Sequence, residues 1–342
     1  MTPSLTVQRA GPLTTVQDRG RPGLLHAGVS ASGPMDPARL AIANALVGNA
    51  PDAAALEFAG PGGRYTVSAP VRIAAVGDVA VTIGGRAVPA WQSHPVTPGQ
   101  RLELGAPQDG VWGYLAIAGG LDTPPVLGAR ATHLRTGLGG LDGRVLRSGD
   151  TVPLGAATVE EGAPHLRLRR PWRPVESAIR VLAGPQADHF DEAAWDRLLS
   201  EPYRISPARD RMAQMLEGPV LTAHRGHDIV SDGTPMGSVQ VPGSGQPMVL
   251  MAERQTTGGY PKMAVVASVD LPRLAQMPTG QVVRFTRVDR DTAEDLLIAE
   301  RRALRALLDG LVPAEGWRPD TPLLLDVNLI DGVVGDLDGG SA

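Results

Sequence analysis

Residues 236–263 read MGSVQVPGSGQPMVLMAERQTTGGYPKM, and their pattern sets the fold class. Ser238, Val239, Gln240 and Val241 alternate polar and apolar, as a half-buried strand does. Pro242-Gly243-Ser244-Gly245 cannot prolong that strand, because proline lacks an amide donor and glycine favours turns. Met248, Val249, Leu250 and Met251 form an apolar run of strand length, so the stretch folds as a hairpin. Its second strand delivers a loop, residues 253–261, with a carboxylate, a guanidinium, an amide, two hydroxyls, two glycines and a phenol. A connecting turn needs a glycine and a capping hydroxyl at most. Gly258 and Gly259 let the backbone approach a ligand and expose N–H groups, so the surplus marks a binding loop.

Outward from the hairpin the pattern stays strand and turn. Short strands are expected at 5–7, 55–58, 65–67, 71–73, 79–83, 114–117 and 179–182. A turn-to-strand module recurs as GQRLEL at 99–104, GDTVPL at 149–154 and GQVVRF at 280–285. Its flanks differ in order, which excludes a tandem array but implies similar β architecture on both sides of the middle. Helices are few. Asp36 and Pro37 supply a cap and a first turn for 36–47, with Leu40, Ala43, Leu46 and Val47 at helical spacing and Gly48 as terminator. Phe190, Ala194, Trp195, Leu198 and Leu199 mark a second helix over 187–200. Cap signals at 291–295, then Leu296, Leu297, Leu304, Leu307 and Leu308, mark a third over 292–309. Residues 160–176 set Arg167, Arg169, Arg170 and Arg173 among prolines, the composition of a solvated linker. The reading is a mainly β chain with a few helices (α+β). Its parts are a β region at 1–158, a linker at 159–176, a second β region at 177–290, and a helix with a tail at 291–342.

Composition narrows the function classes. The chain has 342 residues, 42% of them hydrophobic, and a net charge of −4. That charge gives no reason to expect nucleic acid or a membrane surface as partner. No apolar run approaches the ~20 residues of a membrane span, and MTPSLTVQRAG has no apolar signal core. Zero cysteines exclude disulfides, thiolate nucleophiles and cysteine-ligated zinc. The expected compartment is the cytoplasm. Lys262 is the only lysine, so lysine chemistry has one candidate.

Familiar signatures are missing. There is no GxxxxGK[ST] phosphate loop and no GxSxG nucleophile elbow. The glycine-rich run at 137–143 reads as a tight loop. His224 and His227 lack the neighbours a metal needs, so no metal site is expected. Asp210-Arg211-Met212 is more informative, since arginine presents a planar fork that grips a carboxylate or phosphate twice. Arg211 lines a pocket, or it forms a salt bridge to Asp210 or to another strand. Gln17, Asp18 and Arg21 pose the same choice between internal pairing and a second wall of the site.

These stretches together resemble one family. TTVQDRGRPG at 14–23, SGPMD at 32–36, ANALVGN at 43–49, LE at 56–57, GYLAIAGGLD at 113–122 and GLGGLDGRVLRSGD at 137–150 match its N-terminal half. DRM at 210–212, VQVPGSGQPMVLMAERQTTGGYP at 239–261 and LAQMPTG at 274–280 complete it. The family is the biotin-dependent carboxyltransferase, subdomain A/B type. It includes the C component of bacterial ATP-dependent 5-oxoprolinase, the second component of allophanate hydrolase, a sporulation-kinase-inhibitor antagonist and part of urea carboxylase. The resemblance implies two cyclophilin-like β-barrel regions working beside partner proteins. Ala213 and Gln214 stand where the family usually has glycine and tyrosine after DRM. Glu253-Arg254 precedes QTTGGYP where aspartate or asparagine is usual.

The leading expectation is one part of a hydrolase, inactive alone: the C component of an ATP-dependent 5-oxoprolinase, with A- and B-type partner subunits and ATP used on the complex. Glu253 and Tyr260 are its candidate proton-moving groups. Arg211, Gln240, Gln255, Thr256, Thr257, Gly258 and Gly259 are candidate substrate contacts, with Gln17, Asp18 and Arg21 as the second wall. The alternatives are a carboxyltransferase component of a urea-carboxylase-like system and a non-catalytic regulator that binds a kinase-inhibitor-like protein. Lys262 follows Pro261 rather than a methionine, so covalent biotin on this chain is not expected.

Overall fold

The computed structural model describes residues 2–108, 110–157, 163–172 and 177–314. Residue 158, parts of the expected linker at 159–162 and 173–176, and the tail from 315 onward lie outside the described residues.

The N-terminal half packs two antiparallel sheets face to face. One runs in the order Thr151–Pro153, Ser4–Ala10, Gly63–Val67, Leu102–Leu104, Val81–Ile83, Arg86–Val88. The other runs Leu13–Gln17, Ala55–Ala59, Trp112–Ile117, Val71–Val76, Ser93–Val96. Leu5, Tyr65 and Leu102 of the first meet Leu56, Ile73, Leu115 and Ile117 of the second in one core. The second sheet is covered on its far side too. Trp112, Tyr114 and Ala116 face a cluster shared with helix α1 (Pro37–Leu46) and with the C-terminal half. Strand Trp112–Ile117 is therefore buried at all six positions, which explains a continuous apolar run where alternation would mark one wet face.

The C-terminal half is an eight-stranded sheet ordered Val282–Val283, Tyr203–Arg209, Ala213–Glu217, Met248–Leu250, Ser238–Gln240, Lys262–Val266, Ile179–Ala183, Phe285–Arg287. Its two end strands are separated in sequence only by Arg284, so the sheet nearly closes into a barrel. The hairpin is formed, with Val239 opposite Val249 and Gly245 turning at φ +72°. Its first strand is not half-buried as the alternation suggests. Ser238 and Gln240 are buried too, Ser238 donating to the Pro235 carbonyl and Gln240 to that of Tyr260. The three recurring modules also hold. Gly99, Gly149 and Gly280 open them at φ +89°, +94° and +83°, each with open space where a Cβ would sit. Backbone conformation, not crowding, requires glycine there.

Asp36 caps α1 by accepting the Arg39 amide at 3.1 Å, with Pro37 at the first position. Helix α2 (Glu192–Ser200) starts later than the sequence suggests, after a separate turn at Ala187–His189, and is capped by Asp191. Helix α3 (Leu271–Gln276) has no counterpart among the expected helices. Helix α4 (Arg290–Asp309) is capped by Asp289, which accepts the Thr292 amide at 2.8 Å, two residues before the expected cap run. Within 160–176, Leu166–Arg167 departs from a solvated linker. It pairs with Val312–Pro313, and Leu168 is buried behind it. Arg169 and Arg170 are exposed, as a linker would have them.

Helix α3 stitches the halves through Gln276, and its entry is fixed within the C-terminal half. Gln276 accepts the Val111 and Trp112 amides at 2.9 Å and donates to Asp36 at 3.0 Å. At the entry, buried Asp270 takes Arg180 Nε at 2.7 Å, Arg180 Nη2 at 2.6 Å and Arg273 Nη1 at 2.6 Å. Burial opposes its charge, but these bonds outweigh it and hold the carboxyl below its ordinary pKa. Asp270→Asn is expected to cost about 3 kcal/mol near neutral pH. A depressed folded pKa means the stabilisation is present above the unfolded value and disappears as pH falls through the folded one. Urea midpoints for wild type and variant should therefore converge in acid. A gap that persists there would assign the loss to packing.

Candidate functional site

Arg211 sits in the turn between Tyr203–Arg209 and Ala213–Glu217 and is only 2% exposed. Asp210 does not pair with it, but closes the turn by accepting the Met212 and Ala213 amides. The Arg211 fork reaches two other carboxylates. Nη1 donates to Glu57 Oε1 and Nε to Glu253 Oε1 at 2.6 Å, while Nη2 donates to the Gly33 carbonyl at 2.6 Å and Ser32 Oγ at 3.2 Å. Glu57 Oε2 accepts the Met35 amide and the Tyr114 hydroxyl, both at 2.7 Å. Glu253 Oε2 accepts the Leu134 amide at 3.0 Å. Burial drives the Glu57 carboxyl above its ordinary pKa despite Arg211. Burial also opposes the charge on Arg211, yet Glu57 and then Glu253 raise its pKa overall. Both Arg211 and Glu253 are thus engaged inside the protein, joining segments up to 179 residues apart and anchoring the start of the QTTGGYP loop.

Gln17, Asp18 and Arg21 gather around residues 126–134. Asp18 accepts the amides of Gly20, Arg130 and Ala131 at 2.9, 2.5 and 3.1 Å. Arg21 Nη2 donates to the Ala131 carbonyl at 2.5 Å, and Gln17 Nε2 to that of Thr132 at 3.1 Å. The glycine-rich run folds over the same segment. A Cβ on Gly139 would lie 2.2 Å from the Ala131 carbonyl oxygen, and one on Gly140 would lie 2.0 Å from Thr132 Oγ1. His133, which nothing in the sequence singles out, joins them with Nε2 2.8 Å from Ser30 Oγ. Burial lowers its pKa, which favours the uncharged ring. Arg21 Nη1, Gln17 Oε1 and His133 Nδ1 are buried without hydrogen-bond partners. This wall touches the loop through the Leu134–Glu253 bond.

The loop itself is a flap. Thr257–Gly258 pairs with Asp232–Gly233, Thr234 N donates to the Thr256 carbonyl at 3.1 Å, and Ile229 N to that of Gly259 at 2.9 Å. The Thr234 hydroxyl donates to the Gln255 carbonyl, and Arg254 Nε to that of Thr234 at 2.6 Å. Gln240 lies buried beneath, donating to the Tyr260 carbonyl at 3.3 Å. A Cβ on Gly258 would come within 2.7 Å of Gln240 Nε2, so glycine permits this close seating. Lys262 is also buried under the flap, its Nζ 3.5 Å from Asp232 Oδ2. Hydrogen bonds from Gln186 and the Gly233 amide hold the Asp232 carboxyl below its usual range. Arg211, Glu253 and Gln240 therefore shape the loop from inside. Gln255, Thr257 and Tyr260 are exposed, and Thr256 and Gly259 are half-buried. Among the described residues, no group of three or more His, Asp or Glu side chains is arranged to hold a metal, and no helix is long and apolar enough to cross a membrane.

Two stacked β regions sharing a core, with this flap at the end of a hairpin, define a carboxyltransferase-type fold. The family model "carboxyltransferase domain, subdomain A and B" matches residues 27–287, and the chain belongs to that family. It is similar to the C component of 5-oxoprolinase from Escherichia coli K12, 39% identical over 297 residues, covering 84% of this chain and 93% of the relative. It is also similar to urea amidolyase of Lachancea kluyveri, 29% identical over 331 residues, but the match is 89% of this chain and only 18% of that protein. Among solved structures, TTHA0988 superposes with a TM-score of 0.74 at 37% identity. The match covers 83% of this chain, which spans 56% of that longer one. Urea amidolyase of K. lactis gives a TM-score of 0.81 at 24% identity over 92% of this chain and 21% of that one, a likeness of fold.

Proposed function

We propose that this chain is the C component of an ATP-dependent 5-oxoprolinase, acting in the cytoplasm with A- and B-type partner subunits to open the lactam of 5-oxoproline to glutamate. The observation that carries this reading is a match over 93% of a 5-oxoprolinase C component, against 18% of a urea amidolyase. A carboxyltransferase component is the weaker reading, because it rests on relatives in which this region is a small part.

Flap geometry supports a shared site. A small activated lactam must be enclosed so that it meets positioned water rather than bulk solvent, yet Gln255, Thr257 and Tyr260 face outward. A second chain would supply the missing wall. An amide carbonyl is a poor electrophile, and ATP makes it a good one by phosphorylating its oxygen with release of ADP. One water then adds at the carbon as the C–N bond breaks, and a second water hydrolyses the resulting acyl phosphate to glutamate and phosphate. In this reading the Thr257 hydroxyl donates to the oxygen that gains charge. The Tyr260 phenol passes a proton towards the departing ring nitrogen.

The purified chain alone is expected not to hydrolyse 5-oxoproline in the presence of ATP, while co-expression with its A- and B-type partners gives glutamate and phosphate. Robust turnover by the isolated chain, or a full complex inert towards 5-oxoproline, would overturn the reading.

A further inference from the structure

A groove of about 1360 Å³ runs beside the seam between the two halves, and positive charge gathers in it. Several surface arginines elsewhere sit against carboxylates, as in Arg64–Glu103, Arg130–Asp122, Arg144–Asp150 and Arg225–Asp188. Of the groove's lining residues, Arg167, Arg169, Arg170 and Arg284 have no such partner among the described residues. Arg169 and Arg170 are exposed and make no bond or ion pair among the described residues. Among the described residues, the Arg167 side chain donates only to the Leu168 carbonyl and that of Arg284 only to the Ser200 carbonyl. Asp78 is the one carboxylate among the described residues of the lining. In a chain of net charge −4, four guanidinium groups in one concavity with no carboxylate partner among the described residues call for an anion.

The arginines stand on a fixed support. Leu166–Arg167 is paired with Val312–Pro313, the Leu166 amide donates to Ser93 Oγ at 2.7 Å, and Leu168 is buried. Two indoles, Trp91 and Trp172, line the same groove and are partly exposed. Trp91 is held at φ +61°, a left-handed conformation that is costly for a bulky residue and is found at ligand sites. An exposed arginine pair alone is an ordinary solvated surface. The concavity, the missing counter-charges and the two aromatic faces together match a ligand that is polyanionic at one end and planar at the other.

We propose that this groove binds a nucleoside triphosphate, with its phosphates on the arginines at 167, 169 and 170 and its base against Trp91 or Trp172. Guanidinium forks suit phosphate oxygens, and bases stack well on indole. The proposal rests on and deepens the ATP-dependent reading above, which names the nucleotide. It gives that nucleotide a place without the phosphate loop the sequence lacks.

Tryptophan fluorescence of the full chain, titrated with a non-hydrolysable ATP analogue, tests it. Expected is saturable quenching in the range of about 1 μM to 1 mM usual for enzyme substrates, lost or reduced in either Trp91→Phe or Trp172→Phe. Inorganic triphosphate should compete, and adenosine alone should not. Arg169→Ser with Arg170→Ser should weaken binding at least ~10-fold while leaving thermal stability unchanged, because neither side chain has a partner to lose among the described residues. Absent quenching, affinity indifferent to the double substitution, or equal displacement by sulfate at matched ionic strength would each overturn the site. A complex that opens 5-oxoproline while the double variant binds the analogue normally would remove the groove and leave the function standing. Tight, arginine-dependent binding with a complex inert to 5-oxoproline would do the reverse.

Discussion

Arg211→Met is expected to destabilise the protein by about 3–5 kcal/mol, the cost of leaving buried charge unpaired. Methionine fills much of the volume, so the loss reports electrostatics more than packing. Glu57 and Glu253, 0% and 2% exposed, would remain beside each other with no cation between them. Arg64→Met, at a pair about a third exposed, should cost less than ~1 kcal/mol by comparison. The pH dependence separates mechanisms further. Burial already raises the Glu57 carboxyl, and removing Arg211 raises it more. A carboxyl whose folded pKa exceeds its unfolded value carries no penalty below the unfolded pKa and a growing one as pH rises above it. The variant should therefore lie closer to wild type at about pH 5 than at about pH 8 in urea unfolding. Glu57→Gln added to Arg211→Met should recover part of the loss at the higher pH. A deficit under ~1 kcal/mol, or one that does not change with pH, would mean that the cluster is not what joins the halves.

The elements that are legible in the sequence carry their signal within a few residues. Alternation at 238–241 and the Pro-Gly-Ser-Gly turn specify the hairpin, and Asp36-Pro37 specifies the start of α1. Helix α3 is different. Six residues are too short for helical periodicity to stand out, although Pro272 in the first turn and the spacing of Leu271, Leu274 and Ala275 are consistent with it afterwards. Strand order is not legible either, because Ser4–Ala10 pairs with Thr151–Pro153 from the far end of the N-terminal half. The site follows the same rule. QTTGGYP announces a loop by polar density, but nothing local tells an inward side chain from an outward one. Glu57 lies 154 residues from Arg211, and Ser30 lies 103 from His133. Residue chemistry leaves Arg211 open between pocket and ion pair. Only the closing of the barrel against the N-terminal sheets brings its two carboxylates to it.

Thr257→Val should lower kcat of the reconstituted 5-oxoprolinase complex by about 10²–10³, the usual effect of removing one donor to a developing oxyanion. Folding should change by roughly 0.5 kcal/mol or less. Thr257 is exposed and its backbone pairs with Gly233. Valine has the same branching and keeps that pairing, so the flap stays in place without the hydroxyl. Thr234→Val is the control with the opposite logic. Its hydroxyl bonds the Gln255 carbonyl, so its loss should loosen the flap and change stability and KM together. Tyr260→Phe isolates the phenol on a side chain that is 40% exposed. If Thr257→Val turns over normally, Thr257 belongs to the pairing of the flap and not to the reaction. If Tyr260→Phe is equally silent, the proton must come from the partner chain or from the wall of Gln17, Arg21 and His133, where three buried polar atoms still lack partners.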